Sequence, residues 1–176
     1  MGTVRDVVAD GLLLRRVRVE DEAVLLAAHE TMAAEDFTFL LAYGDDDTFA
    51  DYVARLARIE RGEPPMGRFV ESALLLAVVD DEVIGRTSIR YRLNDFLRHE
   101  GGHIGYGVLP AHRRRGYASE ILRQSVEILH ARGVEPVLVT CDDDNVGSAT
   151  VIERAGGVLE NLVENESGTQ TRRYWI

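Results

Sequence analysis

The chain of 176 residues, 45% of them hydrophobic, is long enough to bury one α/β core and too short for two independent ones. Its net charge of −10 excludes a broad basic face that coats nucleic acid; it suits a cationic substrate such as an amine, or serves solubility alone. Cys141 is the only cysteine, which excludes an internal disulfide and a thiolate metal cluster and fits a reducing compartment. No apolar run reaches the roughly 18 to 20 residues of a membrane span, and Met-Gly-Thr-Val-Arg-Asp at the N-terminus carries no signal-peptide or myristoylation pattern. The expectation is one cytoplasmic domain over residues 1–176, its core beginning near residue 11, with no membrane and no nucleic-acid partner.

In chain order the elements read strand, helix, helix, three strands, helix, strand, helix, two strands, which is an α/β chain with a mixed sheet. Gly11 to Arg16 is the first predicted strand. A helix follows from about Asp21 to Glu35, with Val24, Ala27, Ala28 and Thr31 on a common face. Asp47 is the expected N-cap of a second helix, whose Phe49, Tyr52, Val53, Leu56 and Ile59 fall on one side and which stops at Gly62. Arg61 to Arg68, holding Gly62, Pro64, Pro65 and Gly67, reads as a loop. Ala73 to Val79 and Val83 to Leu93 form a hairpin around Asp80-Asp81-Glu82. After the loop Asn94 to Gly102, the strand His103 to Leu109 carries Gly105 and Gly107, which predict a bulge or a close approach of something to the backbone. Gly116 to Arg132 is a helix by the spacing of Ala118, Ile121, Leu122, Val126 and Leu129, with Gly133 as its stop. Val137 to Cys141 is a strand, Asn145 to Ala155 a short helix, and Val158 to Val163 with Arg172 to Ile176 a closing hairpin. That last strand either completes the monomer's own core or supports a homodimer.

The chemistry concentrates at Arg113-Arg114-Arg115-Gly116-Tyr117-Ala118. A helix start already presents partial positive charge and unsatisfied N–H groups, so three arginines just before one call for a compensating anion. Backbone amides from Arg114 to Ala118 can reach a phosphate, and Gly116 removes the side-chain obstacle. This reasoning does not separate a coenzyme A from a nucleotide or free phosphate. A P-loop would need Gly-x-x-x-x-Gly-Lys-Ser/Thr, which is not present, and the glycines of Gly102-His103-Ile104-Gly105-Tyr106-Gly107 lie in a strand, not at a helix start as a dinucleotide fingerprint requires.

The strand ending Val108-Leu109-Pro110, then Arg113-x-x-Gly116-x-Ala118 opening an amphipathic helix, resembles the acetyl-CoA motif of the GCN5-related N-acetyltransferases, or GNAT family. Val137 to Cys141 followed by Asn145-x-x-Ser148-Ala149-x-x-x-Ile152-Glu153-x-x-Gly156-Gly157 is similar to that family's later strand and helix, and the element order agrees over nearly the whole chain. The resemblance implies a mostly antiparallel, splayed sheet of about seven strands flanked by four helices, parted between the strand at 103–109 and the strand at 137–141. It further implies that acetyl-CoA is held by Tyr106, Val108, Arg113, Arg114, Arg115, Gly116, Tyr117, Ala118, Ser119, Asn145 and Ser148, with the Val108 amide polarising the thioester carbonyl. The implied reaction is direct attack of an amine, from a small molecule or a protein, on the thioester.

An alkyl amine is mostly protonated at neutral pH, so a base or acidic relay is needed; Glu100, His103 and Asp142 lie at strand ends near the implied site, and none is singled out. The family commonly protonates the leaving thiolate with a tyrosine seven positions after the motif asparagine, where this chain has Ile152. Ser148, on the same helical face, is the replacement hydroxyl, or else it only hydrogen-bonds the coenzyme arm or a backbone carbonyl. Asn145 positions the coenzyme, since an amide does not titrate. Cys141, in an apolar strand without a neighbouring histidine, reads as a structural thiol. His99 and His103 are separated by Gly101-Gly102, which argues against a helical ligand pair, and no metal is expected. Phe37, Phe39 and Tyr43, with Glu35 and Asp36, fall between the first two helices, where the resemblance implies a segment that contacts the acceptor; the alternative is that they merely pack. The departure at Ile152 also leaves room for a non-catalytic module that binds acetyl-CoA or another protein.

Overall fold

The computed structural model describes residues 11–44, 46–64 and 68–176. The reading of the N-terminal segment, and of Pro65 and Gly67 in the loop after the second helix, lies outside the described residues. The elements are β1 Leu13–Arg16, α1 Glu22–Ala33, α2 Phe49–Glu60, β2 Ser72–Val79, β3 Glu82–Arg90, β4 Ile104–Val108, α3 Tyr117–Ala131, β5 Leu138–Asp142, α4 Val146–Arg154, β6 Val158–Glu164 and β7 Gln170–Trp175. The strands form one seven-stranded sheet in the order β1-β2-β3-β4-β5-β7-β6. Every neighbouring pair is antiparallel except β4 and β5. The expected mixed α/β architecture is therefore present, with seven strands and four α-helices among the described residues. β7 lies inside the sheet, paired with β5 on one edge and β6 on the other, with Tyr174 fully buried, so the closing strand completes the chain's own core.

The continuous apolar run of β2 is explained by burial on both faces. Leu74, Leu76 and Val78 face the cluster formed with α1 and α2, around Leu25, Met32, Phe39 and Tyr52. Ala73 and Leu75 face the cluster formed with α3 and α4, around Ile89, Leu122, Leu129, Ile152 and Tyr174. Burial of these side chains is worth about 1.5 to 3 kcal/mol each before entropy is counted, so the two clusters hold the helix pairs to opposite faces of the sheet.

Two local expectations are corrected. The buried stripe of α1 is Leu25, Ala28 and Met32, whereas Val24 is 45% exposed. The helical period was right and its rotation wrong by about one residue. The rotation is set where the helix begins: the Asp21 carboxylate takes both Nη atoms of Arg15 at 2.8 Å and the Arg18 amide at 2.8 Å, which ties the entry to β1. The N-cap of α2 is Thr48, not Asp47: Thr48 is extended (ψ 151°) and its hydroxyl accepts from the Asp51 amide at 3.1 Å. Asp47 instead accepts from the Gly44 amide and pairs with Arg55.

The loop Asn94 to Gly102 contains a short π-helical turn, Leu97–Gly101, closed by the Gly102 amide on the Leu97 carbonyl at 2.6 Å. The β3–β4 ladder has no bulge at its glycines; the register shifts of the sheet fall between Ala77 and Val78 and between Leu159 and Asn161. The glycines of β4 serve close approach. A Cβ on Gly107 would stand 2.6 Å from the ring of Phe37, in the α1–α2 connection.

Candidate active site

β4 and β5 are paired only at Ile104 and Val139 and separate beyond that point. The Leu109 amide donates to the Ile84 carbonyl at 2.9 Å, which fixes the alternation of the β3–β4 ladder: Thr87·Tyr106 and Gly85·Val108 are non-hydrogen-bonded pairs. The N–H and C=O groups of Tyr106 and Val108 consequently turn away from β3 toward the side where β5 diverges. A cavity of about 860 Å³ occupies the gap. Of the residues that the sequence singled out, Tyr106, Val108, Arg113, Arg114, Gly116, Tyr117, Ala118, Ser119, Asn145 and Ser148 all line it. Arg115 does not; it is exposed and outside the lining.

One wall is the start of α3. The chain turns through a 3-10 segment, Pro110–His112, then through left-handed conformations at Arg114 (φ 65°) and Gly116 (φ 82°). Gly116 is the N-cap and offers no side-chain acceptor, so the first-turn amides of α3 have no capping side chain. The anion that balances the arginines is in one case part of the chain: Arg113 meets the Glu35 carboxylate at 3.2 and 2.5 Å, while its Nε donates to the Val108 carbonyl at 3.0 Å. This hydrogen-bonded pair holds the Glu35 carboxyl below its usual range and ties the end of α1 to the mouth of the gap.

The opposite wall is α4. Asn145 is its N-cap, accepting the Ser148 amide on Oδ1 at 3.0 Å. Ser148 stands near the Tyr106 hydroxyl, which is buried and has no well-formed hydrogen bond among the described residues. Burial pushes the Tyr106 phenol up to about 12, with Ser148 pulling in the opposite direction. Ile152 is fully buried in the core, so no titratable group stands at that position.

Glu100, His103 and Asp142 are not brought to the cavity. His103 is buried with Nδ1 accepting the Leu138 amide at 2.9 Å, and burial lowers its pKa. Glu100 accepts from the Glu166 amide through its side chain and from Thr140 Oγ1 through its carbonyl. Burial raises the Cys141 thiol to about 11, in agreement with an unreactive role. Among the described residues no His, Cys, Asp and Glu cluster could hold a metal ion. His112, Thr150, Val151 and Arg154 also line the cavity and were not singled out. The last three continue the α4 face of Gly147 at spacings of three, four and seven, a helical signal present in the sequence. Of the α1–α2 connection, Phe37 lines the cavity beside Glu35, whereas Phe39 is core and Tyr43 packs on Phe49 and Tyr52.

A sheet parted between two parallel strands, with an uncapped helix start at its mouth, defines a class of fold that receives an extended, phosphate-bearing ligand edge-on. The chain matches the acetyltransferase (GNAT) domain over residues 11–158, and it belongs to that family of acetyltransferases. No curated protein matches the chain. Among solved structures it shares its fold with a Salmonella typhimurium acetyltransferase described as modifying the N-terminal serine of ribosomal protein L7/L12, at 16% identity and TM-score 0.67, covering 95% of this chain and 94% of that one. RimJ of Mycobacterium smegmatis in complex with CoA-disulfide is similar at 18% identity and TM-score 0.68, over 94% of this chain and 81% of that one. The acetyltransferase yncA of Salmonella typhimurium, solved with acetyl-CoA, is similar at 15% identity and TM-score 0.62, over 95% and 94% of the two chains.

Proposed function

We propose that the protein, as one domain over residues 1–176, transfers the acetyl group of acetyl-CoA to a primary amine within a ternary complex. The observation that carries this reading is the meeting, at one cavity, of an uncapped helix start with two strand amides that have no strand partner. The residues fit the coenzyme: the first-turn amides of α3 suit a pyrophosphate, with Arg114 and Arg154 adding charge at the rim, and Tyr106 and Val108 suit an amide-bearing arm laid along β4. When bound, acetyl-CoA supplies an activated thioester.

The chain supplies the rest. The Val108 N–H is the donor for the thioester carbonyl oxygen. Transfer forms a carbon–nitrogen bond and breaks the carbon–sulfur bond; the nitrogen gives up one proton and the sulfur takes one. Ser148, backed by the Tyr106 hydroxyl, is the donor to sulfur. Glu35, kept ionised by Arg113, attracts a cationic amine; its depressed pKa suits it less to accepting the proton, which leaves through solvent at the open side. Fold relatives that bind coenzyme A or acetyl-CoA support this assignment. Use of acetyl-CoA, with no helix among the described residues long and apolar enough to cross a membrane, supports work in the cytoplasm.

Acetyl-CoA is expected to raise the thermal midpoint, and a panel of amines and peptides is expected to give thiol release. Absence of a shift in the unmodified protein would overturn the coenzyme assignment. A shift with silence across a broad panel would reduce the protein to a binding module.

A further inference from the structure

A second cavity of about 530 Å³ opens between α2, β2, β3 and the loop at residues 94–97. Most of its lining is apolar, from Leu41, Leu56, Ile59, Leu74, Phe96 and Leu97. Into this lining β3 presents Ser88 and Arg90. Arg90 Nη1 donates to the carbonyls of Gly101 at 2.9 Å and Gly102 at 3.3 Å, while Nη2 has no hydrogen-bond partner among the described residues. Among the described residues the one carboxylate in the lining is that of Glu166, and it makes no ion pair with Arg90.

Nearby Arg86 is deeply buried and satisfied by carbonyls: Nη2 donates to Thr38, Nε to Phe39 at 3.2 Å and Nη1 to Gly105 at 2.9 Å. Neither the buried Arg86 nor the half-buried Arg90 makes an ion pair with a carboxylate among the described residues. A buried charge is costly without a counter-ion, and an apolar cavity with one unsatisfied guanidinium edge is suited to a planar anion held in bidentate fashion. Burial lowers both groups, Arg86 to about 9 with repulsion from Arg90 added and Arg90 to about 10, and both remain cationic at neutral pH.

The position ties this cavity to the transfer site. A side chain on Gly105 would meet the Arg90 guanidinium at 3.4 Å, and the next residue, Tyr106, lines the first cavity. The α1–α2 connection walls both, with Phe37 in the first and Leu41 and Ala42 in the second. We propose that the second cavity is the acceptor subsite, in which Arg90 and Ser88 hold a carboxylate, so that the substrate is an amine that also carries a carboxylate. This rests on the acetyltransferase reading above and names the substrate class of that same site.

The test uses matched acceptors in the thiol-release assay: β-alanine and γ-aminobutyrate against their amides, and acidic dipeptides against the corresponding amide dipeptides. The free acids are expected to show kcat/KM on the order of tenfold or more above the amides. Arg90→Met is expected to raise KM for the acids by a similar factor and so to narrow the acid-to-amide ratio of kcat/KM, and Arg90→Lys to restore part of the preference. Ser88→Ala, a smaller change to the core, is expected to give a several-fold rise in KM for the acids alone. Calorimetric titration of N-acetyl-β-alanine into the coenzyme-loaded protein gives a readout without turnover. Equal rates for acids and amides, an acid preference that survives Arg90→Met in folded protein, or no heat of binding in the panel's absence of turnover would overturn the proposal. Loss of the acetyl-CoA thermal shift itself would instead overturn the transferase reading, so the two failures are distinguishable.

Discussion

Alanine at Gly107 tests whether the α1–α2 connection is locked onto β4. The new Cβ would lie 2.6, 2.8 and 3.1 Å from three ring atoms of Phe37, against an optimal carbon–carbon separation of about 3.5 to 4.0 Å, so the ring must retreat by about an ångström. Retreat is opposed from above, because the Arg86 guanidinium covers the ring at 4.3 Å and its hydrogen bonds pin the connection at Thr38 and Phe39. In the absence of a clash, replacing a strand glycine by alanine would stabilise by about 0.4 to 1 kcal/mol through the unfolded chain. Overpacking costs about 1 to 3 kcal/mol, and part of a desolvated cation–π contact worth up to about 2 kcal/mol is lost as well. The expected net is a destabilisation of about 1 to 2 kcal/mol, or about 2 to 8 °C in thermal midpoint for a chain of this size. In a Phe37→Ala background the same substitution is expected to become neutral or stabilising, with a coupling above about 1 kcal/mol in the double-mutant cycle. Stabilisation by Gly107→Ala alone, or an equal cost in both backgrounds, would refute the packing argument.

At a hundredfold excess over its dissociation constant, acetyl-CoA should add about 2.7 kcal/mol, read as a rise of about 5 to 11 °C. Gly116→Asp, which keeps a residue type that tolerates the left-handed conformation but sets a carboxylate among the first-turn amides, should abolish that rise; Arg115→Glu should only weaken it, because Arg115 lies outside the cavity lining. Ser148→Ala should lower kcat with little change in KM for acetyl-CoA, and Tyr106→Phe should lower kcat less and flatten the alkaline side of the pH profile; unchanged turnover in Ser148→Ala across the pH range would remove its proton-donor role. His103 is kept neutral by burial, with its folded pKa below the unfolded value of about 6.5, so its contribution is complete above that pH and is lost as the pH falls below it, where the unfolded chain takes the proton first. The urea midpoint should therefore fall more steeply from pH 7.5 to 5 in the wild type than in His103→Gln, and parallel slopes would refute this.

The features legible in the sequence are those written in local spacing. The α3 helix, its glycine entry and the arginine loop occupy consecutive residues; the helix falls within a residue or two of the expected bounds, and of the loop Arg113, Arg114 and Gly116 line the cavity whereas Arg115 does not. Pairings across long chain separations were not legible. Glu35 and Arg113 lie 78 residues apart, and neither residue's surroundings announce the other. The α1 face was misjudged because Val24, Ala27, Ala28 and Thr31 satisfy a helical period about as well as Leu25, Ala28 and Met32; the clamp of Asp21 on Arg15 decides between them, and that is a tertiary contact. Arg86, Ser88 and Arg90 alternate along β3, and α2 with the α1–α2 connection covers their face; nothing in the sequence of β3 announces that cover. Alternation assigns residues to a face and does not say what covers that face.

The same logic accounts for the isoleucine at position 152, where the family resemblance implies a phenol. Position 152 lies one turn deeper along α4 than Ser148, and here it packs against Gly157 and the core beneath, fully excluded from solvent. A hydroxyl there would need a partner that Leu122 and Leu129 do not supply, and the Tyr174 hydroxyl nearby is already bonded to Glu153. Tyr106 brings a phenol to the gap from the facing strand instead. Its backbone alternation turns its amide to the gap, while its ring lies on the α3–α4 face of the sheet and reaches Ser148. A phenol raised to about 12 is too weak an acid to give up its own proton readily at neutral pH, but through Ser148 it can replace a proton passed to a more basic group. On the proposed assignment the pair would divide the task that one tyrosine would perform, with Ser148 in contact with the sulfur and Tyr106 behind it. Position 152 is thereby left to packing.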